Sequence, residues 1–193
     1  PLGNIIIAGL SEMQGSTYNA MQLLSKFFHT TGKIYPSSDH PLTLHAVFKD
    51  GTEVAGESHI ADHPGMIDYV YVSNTFDDKK PQASRRVVNT ILESDMIVLG
   101  PGSLFTSILP NIVIEEIGQA LLETKAEVAY VCNIMTQRGE TERFTDSDHV
   151  EVLQRHLGRP FIDTVLVNIE KVPRDYMDTN LFDEYLVQVE HDF

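Results

Sequence analysis

Residues 96–111, MIVLGPGSLFTSILPN, decide how this chain is read. A short apolar run, Met96 to Leu99, ends abruptly at Gly100-Pro101-Gly102-Ser103, and a hydroxyl-bearing segment of helical character follows. That order predicts a buried strand, a tight turn free of bulky side chains, then a helix start. Such a turn aims free backbone N–H groups and the positive end of a helix dipole at one point in space. An anion, most often a phosphate, suits that point. Ser103, Thr106 and Ser107 set short hydroxyl donors beside it. The same turn also serves as a plain connection in α/β proteins, so the flanking segments must decide.

Those segments alternate regularly. Ala83 to Glu93 reads as a helix with Val87, Val88, Ile91 and Leu92 inward, and Met96 to Leu99 as the strand after it. Ile112 to Glu123 reads as a helix with Pro110 near its start, where proline is tolerated. Val128 to Cys132 is a continuously apolar strand, as expected where both faces are covered. Thr145 is the predicted N-cap of a helix running to about His156, with Asp148 its acidic partner, and Thr164 to Val167 forms another strand. Strand–helix–strand order implies right-handed parallel crossovers. The predicted fold is α/β and Rossmann-like, a doubly wound, mostly parallel sheet with helices on both faces.

Upstream, the periodicity changes twice. Asn4 to Leu10 is apolar on nearly all sides and predicts a buried helix. Gly15-Ser16-Thr17 supplies a cap, and Met21, Leu24, Phe27 and Phe28 recur at helical spacing until Gly32. Leu42, Leu44, Ala46 and Phe48 then alternate, followed by Asp50-Gly51 and Thr52 to Ala55: an inserted β-hairpin. Ile67 to Val72 alternates as one more strand.

Ligands of such sheets sit beyond the carboxyl ends of the strands. Two polar loops fall there: Gly100–Ser103, and Asn133-Ile134-Met135-Thr136-Gln137, which continues into Arg138-Gly139-Glu140-Thr141-Glu142. Their convergence on one sheet edge points to a ligand more strongly than either loop alone.

Composition narrows the ligand. With 42% hydrophobic and 22% charged residues the 193-residue chain is of ordinary globular type, enough for one core-bearing domain. A formal net charge of −14 argues against nucleic acid and anionic membrane as general partners, because counterion release needs a basic face. Lys79, Lys80, Arg85, Arg86, Arg138 and Arg143 read as solvated charge. No apolar run is long enough for a membrane span. The start lacks a basic, cleavable leader pattern, and the one cysteine, Cys132, fits a reducing compartment; the expected location is the cytoplasm.

Metal and nucleophile signatures are weak. His59 and His63 are read as a surface loop before Pro64-Gly65, and His149 and His156 as boundary residues on one helix face. Ser103 has no sequence-evident His/Asp partners, Cys132 reads as core, and Asp62, Asp95, Glu140 and Asp146 are candidate acids that spacing does not single out. No metal site is expected.

Taken in order, Leu2-Gly3-Asn4, Pro36-Ser37-Ser38, Gly56-Glu57-Ser58, Gly100–Asn111, Asn133 to Thr141 and Ser147-Asp148-His149 resemble the CofD-like superfamily. It comprises the bacterial gluconeogenesis factors, the closer branch, and the 2-phospho-L-lactate transferases of deazaflavin cofactor biosynthesis. The resemblance implies a single CofD-like α/β domain over residues 1–193, binding a UDP-sugar or other nucleotide diphosphate. It implies phosphate contacts for Gly100, Pro101, Gly102, Ser103, Thr106 and Ser107. Asn133, Thr136, Gln137 and Gly139 would approach ribose, phosphate or sugar, with Gly3, Asn4, Ser37 and Ser38 near the same pocket. The family's glycine-rich first loop lies upstream of residue 1, and the short connection after Pro173 suggests residues omitted near Arg174–Thr179. In the gluconeogenesis-factor branch the implied role is regulatory, in gluconeogenic growth, cell shape and wall synthesis. In the transferase branch a phosphoryl-lactyl group passes from a guanylated donor to a deazaflavin alcohol, with magnesium. Whether the chain turns over substrate, and whether it forms a homo-oligomer, stay open at this level.

Overall fold

From Ser84 to Leu166 helix and strand alternate as the periodicity requires. The computed structural model describes residues 2–173 and 187–193. Helix α4 (Arg85–Leu92) is capped by the Ser84 hydroxyl, which accepts from the Val87 amide, and leads into β4 (Met96–Leu99). A π-helical turn (Leu104–Ile108) and two helices, α5 (Leu109–Ile112) and α6 (Glu115–Glu123), connect it to β5 (Glu127–Val131). The helix expected from Ile112 is therefore broken at Val113–Ile114. Helix α7 (Asp146–Leu157) returns the chain to β6 (Thr164–Leu166). These three strands are parallel in the order β4-β5-β6, with Val98 opposite Ala129 and Tyr130 opposite Val165.

Thr145 opens α7 through a full capping box: its hydroxyl accepts from the Asp148 amide and the Asp148 carboxylate accepts from the Thr145 amide. One face of the parallel sheet, with Ile97, Leu99, Val128, Tyr130 and Val165, carries the core. The other face holds Met96 (55% exposed), Val98 (54%) and Leu166 (55%). Met96–Leu99, read as a buried strand, is thus covered on one side only by the described residues. Alternation puts successive side chains on opposite faces, so apolar content alone cannot say whether both are covered.

The inserted hairpin is larger than predicted. β1 (Leu42–Phe48) pairs antiparallel with β2 (Glu53–Ala55) and with β3 (Ile67–Asn74), forming a separate sheet in the order β2-β1-β3. The Asp50-Gly51 turn closes it, with the Asp50 carboxylate accepting from Thr52 N at 2.9 Å. Between β2 and β3 lies a short helix, α3 (Glu57–Asp62). His59 therefore sits on a helix and not in the loop expected from Pro64-Gly65, with His63 as its C-cap.

Helix α7 ties the two sheets together. Its His156 donates from Nδ1 to Val152 O (2.7 Å) and accepts on Nε2 from the Val70 amide of β3 (3.1 Å). Arg155 also bonds the Asp68 carbonyl. The free edge of β3 is closed by side chains where no further strand pairs with it. Its helical spacing reads His149 as a boundary residue. It is fully buried, with the Phe144 ring edge-on against it and Phe105 packed on Phe144 and on His156 of the same helix.

The N-terminal segment forms helices as read, α1 (Leu2–Gln14) and α2 (Thr17–Phe27), the second capped by the Ser16 hydroxyl on Asn19 N. Burial of Asn4 to Leu10 is not observed. Helix α1 packs chiefly on α2 and has no buried residue; Leu2 and Ile5 are 71% and 70% exposed. Apolar periodicity reports a helix's composition, and a covering surface is a separate requirement.

Residues 187–193 lie across three segments at once. Thr136 N donates to Val187 O (2.8 Å), Asp146 N to Glu190 O (3.1 Å), and the Gln188 side chain donates to Glu170 O (2.8 Å). The expectation of omitted residues near Arg174–Thr179 lies outside the described residues. No helix among the described residues is long and apolar enough to cross a membrane.

Candidate ligand-binding site at the strand ends

The turn after β4 is built on glycine. Gly100 holds φ +89°, a backbone region that favours glycine, and an added Cβ would sit 3.0 Å from the Val131 carbonyl of the neighbouring strand. The Gly100–Pro101 peptide is cis. Ser103 O then accepts from both Ser107 N (2.9 Å) and Ile108 N (3.0 Å), which opens the π-helical turn. The amides of Gly102, Ser103, Leu104, Phe105 and Thr106 donate to no acceptor among the described residues. Leu104, Phe105 and Ile108 are buried, so the core holds the turn in place and only the half-buried Gly102, Ser103 and Thr106 are left to face outward.

The second loop is fastened to the first. Asn133 Nδ2 donates to Gly102 O at 2.9 Å. Glu140, 4% exposed, accepts on Oε1 from Thr106 Oγ1 (3.2 Å) and from Gln137 Nε2 (3.1 Å). One buried carboxylate thus joins the turn after β4 to the loop after β5. Burying a charge is costly unless it is bonded in this way. Spacing did not single Glu140 out, because its partners are 34 and 3 residues away in sequence and only the fold unites them.

Thr136 is fully buried, and its hydroxyl is engaged with Val187, donating to the carbonyl at 3.0 Å and accepting from the amide at 3.2 Å. It anchors the loop from behind, through Val187. Gln137 and Gly139 line a cleft of about 540 Å³ with Arg138, Glu142 and the residues from Ala61 to Gly65. On the other side of the Thr106–Glu140 bond, Ser37, Ser38 and Thr106 share a cleft of about 320 Å³ with His40, Glu57 and Asn111. Gly3 and Asn4 are not brought near either; they lie on exposed α1, and a Cβ on Gly3 would meet no atom within 4 Å. Ser107 is exposed on the turn, and its carbonyl accepts from Asn111 Nδ2 at 2.7 Å.

No activated nucleophile emerges among the described residues. Cys132 is 5% exposed at the end of β5, and burial, helped by the nearby Asp146 charge, pushes its thiol up to about 11. Burial likewise lowers the His149 and His156 imidazoles below their ordinary value. No group of three or more His, Cys, Asp or Glu side chains able to hold a metal occurs among the described residues.

The sequence model of the family described as 2-phospho-L-lactate transferase CofD matches residues 1–193, the whole chain. The chain belongs to the CofD family. A protein named "Putative gluconeogenesis factor" from Streptococcus pneumoniae serotype 4 is 88% identical to this CofD-family chain over 193 residues, covering all of it and 59% of the relative. The "Gluconeogenesis factor" of Bacillus subtilis is 40% identical over 172 residues, 89% of this chain and 53% of that protein. A crystal structure of a Bacillus halodurans protein of the UPF0052 family superposes with a TM-score of 0.89 at 34% identity, covering 98% of this chain and 60% of that one. The CofD-family chain therefore spans between 53% and 60% of the length of these relatives, and the fold reading, α/β and Rossmann-like, holds at the level of solved structure.

Proposed function

We propose that the chain supplies the phosphate-facing half of a site for a nucleotide diphosphate, a UDP-sugar in the first instance. On this reading the whole protein is a regulator of gluconeogenic growth, cell shape and wall synthesis in the cytoplasm. The observation that carries the reading is the turn at the carboxyl end of a parallel sheet, where the amides of half-buried Gly102, Ser103 and Thr106 donate to no acceptor among the described residues. Backbone donors fixed in this way complete a diphosphate without reorganising. The loop tied to them by Asn133 and Glu140 provides amide and guanidinium groups for the rest of the ligand. The net charge of −14 does not oppose this, because a small anion needs local donors and not a basic surface. The relatives' names, gluconeogenesis factor, support the link to gluconeogenic growth. Calorimetry of the full-length protein with UDP-N-acetylglucosamine tests it: saturable binding is expected, and none up to millimolar ligand would refute it.

The family's description favours a second reading, transfer of a phosphoryl-lactyl group to a deazaflavin alcohol. Positioning and charge stabilisation dominate such chemistry, so the missing nucleophile does not weigh against it. The described residues offer no clustered ligands that fit magnesium, and no step is assigned to a metal. Incubation of the full-length protein and magnesium with a guanylated lactyl donor and the deazaflavin alcohol decides: a phosphodiester product supports the transferase, and its absence removes it.

A further inference from the structure

The Thr106–Glu140 bond fixes which way the Thr106 hydroxyl can speak to a ligand. Glu140 Oε1 lies 3.2 Å from Thr106 Oγ1 and 3.1 Å from Gln137 Nε2. A side-chain amide nitrogen only donates, so Oε1 is an accepting oxygen already, and a proton on the carboxyl would sit on Oε2. Thr106 must therefore spend its single hydrogen on Glu140. What remains of its hydroxyl is lone pairs. A phosphate oxygen is an acceptor too and gains nothing from them; a ligand hydroxyl, which donates, does.

The cleft on that side agrees. Thr106 lines it together with Glu57, whose carboxylate also accepts and opposes a phosphate there, and with Asn111, whose amide nitrogen already donates to Ser107 O at 2.7 Å. Its volume of about 320 Å³ falls at the small end of ligand clefts, which begin at roughly 300 Å³. The cleft beyond Thr106 sets the Glu57 carboxylate and the Thr106 lone pairs, both acceptors, beside the Ser37 and Ser38 hydroxyls, which can donate or accept.

We infer that Thr106, polarised by Glu140, is a specificity-determining acceptor for a sugar hydroxyl of the ligand, and that the cleft of Ser37, Ser38, Glu57 and Asn111 is a hydroxyl-reading subsite separate from the phosphate-reading turn. This rests on the nucleotide-diphosphate reading above and changes the part Thr106 plays in it, from phosphate donor to hydroxyl acceptor. Glu140 acts as a positioning residue, through Thr106 and Gln137.

The hydroxyl can belong to the ribose or to a sugar on the diphosphate, and one panel separates them. Calorimetry on the full-length protein compares wild type with Thr106→Val and Thr106→Ser, using UDP, 2′,3′-dideoxy-UDP and UDP-glucose. One lost hydrogen bond corresponds to a weakening of about five- to tenfold. If the ribose is read, Thr106→Val weakens UDP and UDP-glucose by that factor and leaves dideoxy-UDP unchanged. If the terminal sugar is read, it weakens UDP-glucose alone. Thr106→Ser, which keeps the hydroxyl, retains wild-type selectivity in either case. Equal weakening of all three ligands would return Thr106 to the phosphate and overturn the inference, as would no change in any. Thr106→Ala runs beside Thr106→Val, so that a steric block by the valine methyl is recognised as a loss that alanine does not share. Should wild type bind neither these three nor UDP-N-acetylglucosamine, the nucleotide reading falls and this inference with it; should wild type bind UDP-N-acetylglucosamine alone, or bind the panel without selectivity, this inference alone falls.

Discussion

His191 Nδ1 lies 2.6 Å from the buried carboxylate of Asp146, and its Nε2 lies 3.1 Å from the Asn168 carbonyl. Both ring nitrogens face acceptors, so the doubly protonated ring is the form that satisfies both. The hydrogen bond to Asp146 accordingly raises the His191 pKa above its ordinary value.

Linkage sets the sign of the first prediction. A histidine whose folded pKa is raised contributes stability that is fully present below the unfolded value of about 6.5 and fades as pH rises through the folded value. Buried His149 and His156 titrate the other way and oppose this trend in wild type. Comparison with His191→Gln isolates the effect. Thermal melts of the two proteins across neutral pH should differ most at the acid end and converge as pH rises; a gap independent of pH would refute the pairing.

Gly100→Ala should be costly. The residue holds φ +89°, and the new Cβ would stand 3.0 Å from the Val131 carbonyl, a backbone atom that cannot swing aside. Strain of this kind costs about 1–3 kcal/mol. Urea denaturation is expected to show a loss of that size with an unchanged slope, and UDP-N-acetylglucosamine affinity should fall with it.

Ser103→Asp sets a carboxylate on the turn beside the amides of Gly102 and Thr106 without disturbing the buried Leu104 and Phe105. The expected outcome is a melting temperature near that of wild type and nucleotide affinity reduced by at least about tenfold, the scale of one charged hydrogen bond lost and a repulsion gained. Unchanged affinity in calorimetry would remove the turn from the site.

Cys132 should resist modification. Its thiol is buried and pushed up to about 11, so little thiolate exists at neutral pH. Reaction with a disulfide reagent is expected only at the rate of opening, and rapid labelling in native buffer would show that the end of β5 is accessible.

What the chain discloses before folding is unequal. The Gly100–Ser103 turn, the Thr145 cap and the Asp50-Gly51 hairpin were legible because each depends on residues a few positions apart. Hidden from view was everything that rests on distant partners: Glu140 between Thr106 and Gln137, Thr136 held by Val187, and Asp146 held by His191. Apolar patterning gave α1 its helix but not its exposure, since Ile5 and Leu2 look the same to a periodicity whether or not anything covers them. His149 erred in the opposite direction, a polar residue carried into the interior beside the aromatic ring of Phe144.

The strap of residues 187–192 sets an order of events during synthesis. Thr136 waits for a partner 51 positions later, and Asp146 for one 45 positions later. A nascent chain can thread the parallel strands through β6 while the loop after β5 still lacks its backing, so competence to hold a ligand should arrive as a late and separate step on the ribosome.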